Sequence, residues 1–356
     1  MIELKPCPEC EVPEYISQEH LWLDNGDIVQ RREPWHRMLF IESENIDPLF
    51  KGIEEIIGTS IEHLVITAQR RSTRMYLSQF VSEETKELVR TKRVPLRPLA
   101  EAMGDMGRLM GFGNFQYVDL RYELDDSDYY TVTVTEPFSL LMAVASFAAC
   151  IEALTGRDQG TTCDEVSPGV YRITSFPSKH PAEMKGRVWL RYYYHQESGD
   201  CELDKCPACG VPIGISEYKW GWERGVIESK GSRRRMVTIG WQNLEPIFEE
   251  LEMEMGESVT RAIVESQRRF TSSGFFHTDI NDLASLRTEL ALRGLGNLKK
   301  IDTGKKNMHI YIENAILPLI VVGLAQGLYE LASGSGSDVG WEYSDEGKLE
   351  IDVTSK

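Results

Sequence analysis

Hydrophobic positions along the chain fall into two series with the same order. The alternation in "YTVTVTE" (130–136) marks a half-buried strand, and "FQYVDLRYEL" (115–124) supplies a strand just before it. The unbroken apolar runs "FSLLMAVASFAACI" (138–151) and "AILPLIVVGLA" (315–325) read as buried helices. Both are shorter than the roughly 20 residues a membrane-spanning helix needs. Helical spacing of Ile61, Leu64, Val65 and Ala68 predicts an amphipathic helix entered through Ser60, with a counterpart entered through Ser258. Shorter helices are expected from Pro48 and Pro246, and over 96–110 and 280–293, where Gly111 and Gly294 stop them. Hairpin turns are expected at Asn25-Gly26 and Arg224-Gly225, and closing strands over 169–176 and 348–353.

The two series share residues as well as pattern. "CPECEVPEYI" (7–16) is restated as "CPACGVPIGI" (206–215), "QRR" (69–71) recurs at 267–269, and "GFGNF" (111–115) returns as "GLGNL" (294–298). "IEALTG" (151–156) is answered by "LYELASG" (328–334). The expected organisation is therefore a tandem duplication, 1–195 and 196–356, with the boundary in the polar stretch 192–205. The fold class is α+β: two copies of an antiparallel sheet with helices on one face, related by a pseudo-twofold axis as a dimer inside one chain.

At 356 residues the chain is long enough for two cores. Its net charge of −17 opposes a phosphate backbone, so no nucleic-acid partner is expected. Arg233-Arg234-Arg235 reads as a solvated turn. The opening "MIELKPCPEC" lacks the apolar core of a secretory leader, and seven cysteines, two pairs of them spaced as knuckles, suit a reducing compartment. The expected location is the cytoplasm. No Walker loop, dinucleotide fingerprint, His-Glu-x-x-His or nucleophile elbow is present, so catalysis is not expected.

The candidate chemistry is mostly sulfur. Structural zinc is four-coordinate, yet each copy has one Cys-x-x-Cys pair. Cys7, Cys10, Cys206 and Cys209 complete one structural zinc site, one per chain, if the hairpins meet across the twofold axis. Separate sites using His20 or Cys201, or vestigial knuckles without metal, are the alternatives. Arg71 and Arg269, seven residues beyond Leu64 and Ala262, are expected on an apolar face, where a guanidinium needs a carboxylate or an anionic ligand. Met142 and Phe147, with counterparts Ile320 and Ala325, are candidates to line a cavity, and Glu152 and Glu330 are candidate partners for the arginines.

Residues 131–176, "TVTVTEPFSLLMAVASFAACIEALTGRDQGTTCDEVSPGVYRITSF", and less closely 307–353, resemble the 4-vinyl-reductase-type small-molecule-binding domain. Members of that family serve as ligand-sensing modules of regulators for aromatic compounds and as accessory proteins in bacteriochlorophyll synthesis. They are similar in fold to vesicle-tethering subunits. The resemblance implies a hydrophobic ligand: a hydrocarbon, an aromatic or a tetrapyrrole-like molecule. The family often has two cysteines at the last turn. Here Cys163 fits the first place, but Tyr171 stands near the second, and the other copy has Trp341 and Leu349. No metal is expected there. The hairpins ahead of each copy resemble a degenerate zinc ribbon. The function expected is non-enzymatic binding of a small hydrophobic molecule. A scaffold that holds a protein partner and an accessory subunit of a reductase are the alternatives.

Overall fold

The computed structural model describes residues 5–180, 197–276 and 282–356. In the first half the order is α1 (Glu14–Glu19), β1 (His20–Trp22), β2 (Ile28–Gln30), β3 (Arg37–Glu42), α2 (Ile46–Ile57) and α3 (Glu62–Phe80). Then come α4 (Glu83–Arg90), α5 (Leu96–Leu109), β4 (Asn114–Arg121), β5 (Tyr129–Thr135), α6 (Leu140–Thr155), β6 (Gln159–Ser167) and β7 (Val170–Pro177). The second half has β8 (Tyr218–Gly221), β9 (Val226–Ser229), β10 (Arg235–Gly240), α7 (Glu245–Met255), α8 (Ser258–Ser272) and α9 (Leu283–Arg293). It ends with β11 (Asn297–Thr303), β12 (Asn307–Glu313), α10 (Pro318–Ser333), β13 (Ser337–Tyr343) and β14 (Leu349–Ser355). The expected boundary between 195 and 196 lies outside the described residues.

The class is α+β, and the three sheets among the described residues are antiparallel. Two four-stranded sheets have the same order, β4-β5-β7-β6 and β11-β12-β14-β13. In the second, β12 and β14 each bury alternate residues, the mark of a sheet with one face on a core. Ser139 caps α6 by accepting from the Met142 N–H, and Gly156 ends that helix in the left-handed conformation. Apolar all round, α6 sits between its sheet and α3.

The third sheet joins the halves in the order β1-β2-β3-β10-β9-β8. Its centre is the pairing of β3 with β10, in which Phe40 faces Thr238, Leu39 faces Ile239 and Ile41 faces Val237. Leu39 and Val237 are equivalent positions, as are Ile41 and Ile239, so each pair maps onto the other by a half turn through Phe40 and Thr238. That reciprocity is the signature of an isologous interface, here within one chain.

The halves are also crossed. α2 packs on α8, where Ser266 donates to the Leu49 carbonyl at 2.8 Å, and α7 packs on α3. The Trp22 indole N–H donates to Leu292 O at 3.1 Å, and Trp220 to Leu109 O at 3.2 Å. The hairpin turns close the same seams. A Cβ on Gly26 (φ 81°) would lie 2.3 Å from the Gly296 carbonyl carbon, and one on Gly225 (φ 65°) 2.2 Å from the Gly113 oxygen. Only glycine fits either place. Each hairpin is therefore seated on the other half's C-terminal layer.

Candidate functional site

The crossing brings the knuckles together. Cys7 N–H donates to Val12 O, and Glu11, in the left-handed conformation (φ 62°), donates back to Cys7 O, which closes the first knuckle. Cys206, Val211 and Gly210 repeat that geometry in the second. The sulfurs of Cys7 and Cys206 are 3.8 Å apart, those of Cys10 and Cys209 3.5 Å, and all four lie within 4.8 Å of one another. A tetrahedron of thiolates with metal–sulfur bonds of about 2.3 Å has edges of about 3.8 Å. The four side chains can thus hold one metal ion between them. Backbone N–H groups of Cys10 and Glu9 bring the Cys7 thiol down to about 7, which favours the thiolate a metal requires, while burial raises Cys10 and Cys209. Cys201 and His20 are not in the cluster, and Cys163 is exposed on the edge strand β6.

A second feature lies below the central sheet, where three apolar clusters meet: a cavity of about 240 Å³. Its floor is Phe112, Phe115, Tyr117, Tyr130, Val132 and Phe147, from α6, β4, β5 and the turn before β4. Met103 and Met106 of α5, with Met110 at its C-terminal cap, line one side, and Gly104 and Gly107 leave the space open. The opposite wall comes from both hairpins: His20, Gln30, His36 and Met38 from the first, Thr238, Gly240 and Gln242 from the second.

The equivalent place in the second half is nearly filled, with 60 Å³ left. Leu290 stands there for Gly107, Leu324 for Ser146 and Arg293 for Met110, and the Arg293 guanidinium is bound by the Glu42 and Glu289 carboxylates. Glu42 itself replaces Gly240. Aliphatic side chains and an ion cluster thus occupy what the first half leaves empty.

The candidate ligand residues scatter accordingly. Phe147 lines the large cavity; Met142 is fully buried in the neighbouring core and does not. Ile320 borders only the 60 Å³ void, and Ala325 a void of 20 Å³. The two arginines expected on the apolar face differ from each other, the Arg71 guanidinium nitrogens being buried. Arg269 is 53% exposed and paired with Glu265 at 2.7 Å, Arg71 is half-buried, and neither lines the cavity. Their neighbours are Arg70, buried and 3.6 Å from Glu152, and Arg268, half-buried and meeting Glu330 and Glu265. α3 buries Val65, Ala68, Gln69, Ser72 and Thr73, a face turned toward the next residue round the helix from that extrapolated from Leu64. Arg235, expected in a solvated turn, instead reaches the Glu136 carbonyl in the seam.

Burial holds the two cavity histidines neutral, bringing His20 and His36 to about 4. Unfolded imidazoles protonate near 6.5, so between 6.5 and 4 the unfolded chain binds more protons. The stability they contribute is complete above 6.5 and is lost as pH falls toward 4. Asp27, which burial pushes up to about 6, works in the opposite sense over part of that window. Two imidazoles against one carboxyl leave a net loss on the order of 4 kcal/mol. Chemical denaturation at pH 7 and pH 4.5 will show a large fall in midpoint, abolished or reversed in a His20→Phe, His36→Phe variant, in which Asp27 alone remains.

Among the described residues no helix is long and apolar enough to cross a membrane. No known family profile matches the chain, and no curated protein matches it. Two solved structures show limited likeness. One is the phenol-responsive sensory domain of the transcription activator PoxR with phenol (15% identity, 46% of this chain and 87% of that one, TM-score 0.30). The other is a Cs H-NOX mutant carrying 4-cyano-L-phenylalanine (14% identity, 35% and 77%, TM-score 0.25). The resemblance to the 4-vinyl-reductase-type domain rests on residues 131–176 and 307–353 alone.

Proposed function

We propose that the protein is a non-enzymatic carrier or sensor of one small apolar or aromatic molecule per chain, held in the cavity of the first half. A structural zinc ion on Cys7, Cys10, Cys206 and Cys209 pins the two hairpins that form the cavity wall. On this reading the halves arose by duplication of a homodimerising ancestor, with 1–195 and 196–356 as the repeated units, and only one kept room for a ligand.

The observation that carries the reading is the contrast between 240 Å³ in one half and 60 Å³ at the equivalent place in the other. Interiors are close-packed, and a void of this size forfeits packing energy unless something occupies it. An apolar cavity of about 150 Å³ takes up benzene, so this one has room for a substituted or fused ring, and it is smaller than the sites of drug-sized ligands. The open groove beside Arg268 and Glu330 offers charge as an enzyme would, but Arg268 is bound by Glu265 and Glu330, and Lys356 by Asp338.

Gly107→Leu tests it, because it installs the residue found at the equivalent position, Leu290. The three atoms nearest a Cβ at Gly107 all belong to Phe112, the closest at 3.5 Å, so the backbone accepts it and the larger side chain enters the cavity. Calorimetric titration with naphthalene should show one site per chain in the parent and at least about a tenfold weaker one in the variant, with thermal stability unchanged or higher. Equal uptake by the two proteins would place binding elsewhere.

A further inference from the structure

The hairpin wall of the cavity carries polar atoms that the fold leaves without hydrogen bonds. Gln242 is 3% exposed, and neither its Nε2 nor its Oε1 has a partner. His36 is 1% exposed and makes no hydrogen bond at either ring nitrogen, with Nδ1 3.9 Å from the Glu33 carboxylate, and His20 is buried with no hydrogen bond at Nε2. Each of the three residues lines the cavity. One such atom costs about 1–3 kcal/mol, and native proteins rarely tolerate several in one place. Beside them, Gln30 donates to the Tyr76 hydroxyl at 2.7 Å, which fixes a neighbouring part of the same wall.

This set belongs to the open side only. The positions equivalent to Gln242 and His36 are Glu44 and Arg234. Glu44 is exposed and accepts from the Arg235 N–H at 3.0 Å, and Arg234 lies over the Phe275 ring. Gly240 makes the arrangement possible, since a Cβ there would come within 3.0 Å of Gln242 Oε1. Several unsatisfied polar groups and open volume therefore occur together in one half, whereas the same place in the other keeps about 60 Å³ and one such atom on its lining, Asn45 Oδ1.

The chemistry of the wall narrows what fits it. A glutamine amide presents a donor and an acceptor side by side, the pattern by which glutamine grips an adenine edge bidentately. Its complement is a donor next to an acceptor on one rim, as in a lactam, a cyclic imide or a nitrogen heterocycle. A neutral imidazole adds one donor and one acceptor. Among the described residues no lysine or arginine lines the cavity, whereas Glu19 and Glu101 do, so those residues offer a carboxylate ligand no counter-charge.

We propose that the ligand is an uncharged cyclic amide or related nitrogen heterocycle whose N–H and C=O lie on one edge, with Gln242 reading that edge and His36 completing the contact. The proposal rests on the binding function assigned to the cavity, and four bicyclic probes of nearly equal size separate the two. Naphthalene has no polar edge, coumarin has the carbonyl without the N–H, 2-quinolinone has both, and 2-naphthoate is an anion. Calorimetric titration of the intact protein should rank 2-quinolinone at least about tenfold tighter than coumarin and naphthalene, with 2-naphthoate weakest. Gln242→Met should abolish the preference for 2-quinolinone over naphthalene.

Naphthalene or coumarin binding as tightly as 2-quinolinone would overturn the edge-reading proposal and leave the cavity's function standing. Tightest binding by 2-naphthoate would overturn it in favour of an anion site. Failure of all four to bind would overturn the cavity's function itself. The comparison of 2-quinolinone with coumarin needs no substitution, so the proposal is tested even if Gln242→Met does not fold.

Discussion

Replacing either Cys7 or Cys206 with serine will strip the protein of its whole metal equivalent, not half of it. Each knuckle supplies two thiols, and the short sulfur contacts run between the halves, Cys7 to Cys206 and Cys10 to Cys209. A zinc ion on this cluster has ligands 199 positions apart in the chain, so neither half can keep it alone. Structural zinc in small domains contributes apparent binding energies of about 10–16 kcal/mol near neutral pH, and a ligand set that exists only in the folded chain converts this into folding energy. It also closes a very long loop, whose cost in the unfolded state grows only slowly with length. Metal analysis should give one zinc per chain in the parent and none in Cys7→Ser or Cys206→Ser, with the thermal midpoint falling well beyond the effect of an ordinary surface substitution. Cys163→Ser, on the exposed edge strand, should change neither. Two equivalents in the parent, or loss of half in each variant, would mean that the knuckles bind separately. Protein purified without chelator and free of metal would refute the site.

The fold was legible wherever a pattern is local. α6 and α10 could be read from unbroken apolar runs ended by Gly156 and Gly334, and β5 from the alternation around Val132 and Val134. β6 and β13 escaped because edge strands bury little: seven of the nine residues of β6 carry no apolar side chain. α1 and α4 are too short and polar to show a period. The meeting of the four cysteines was readable because repeated motifs imply repeated geometry. The cavity was not, since its wall comes from elements that the crossing assembles, and its cause is small residues, not a motif. The signal that existed was a break in the correspondence between copies. Gly104 and Gly107 face Arg287 and Leu290 in the alignment, and Ser146 faces Leu324.

Asp27→Ala should be the most damaging single substitution away from the cysteines. Asp27 and Arg37 are both 0% exposed and form an ion pair inside the first hairpin. The same guanidinium donates to Gly294 O at 3.1 Å and to Asn314 O at 2.8 Å, both in the other half. Asn25 braces the carboxylate by donating to it at 3.1 Å and accepting from the Asp27 N–H at 3.1 Å. Burial pushes the Asp27 carboxyl up to about 6, and Arg37 and Asn25 oppose that shift, so the pair is ionised at neutral pH. Deleting the carboxylate leaves a guanidinium buried without its charge partner, a change that costs about 3–5 kcal/mol. Asp27→Asn keeps an acceptor and loses only the charge, so its cost should fall between those of the parent and the alanine variant. The second half has Val226 at the equivalent position, and its Arg235 borrows the Glu136 carbonyl instead, so no substitution there removes a comparable charge. The effect should also reach the ligand site. The hairpin held by this pair carries His20, Gln30, His36 and Met38 of the cavity wall, so Asp27→Ala should weaken naphthalene uptake at temperatures where the variant is still folded. Denaturant titration at pH 7 measures the first effect and calorimetry the second. A loss under about 1 kcal/mol with uptake unchanged would show that the β3–β10 pairing alone seats the hairpin.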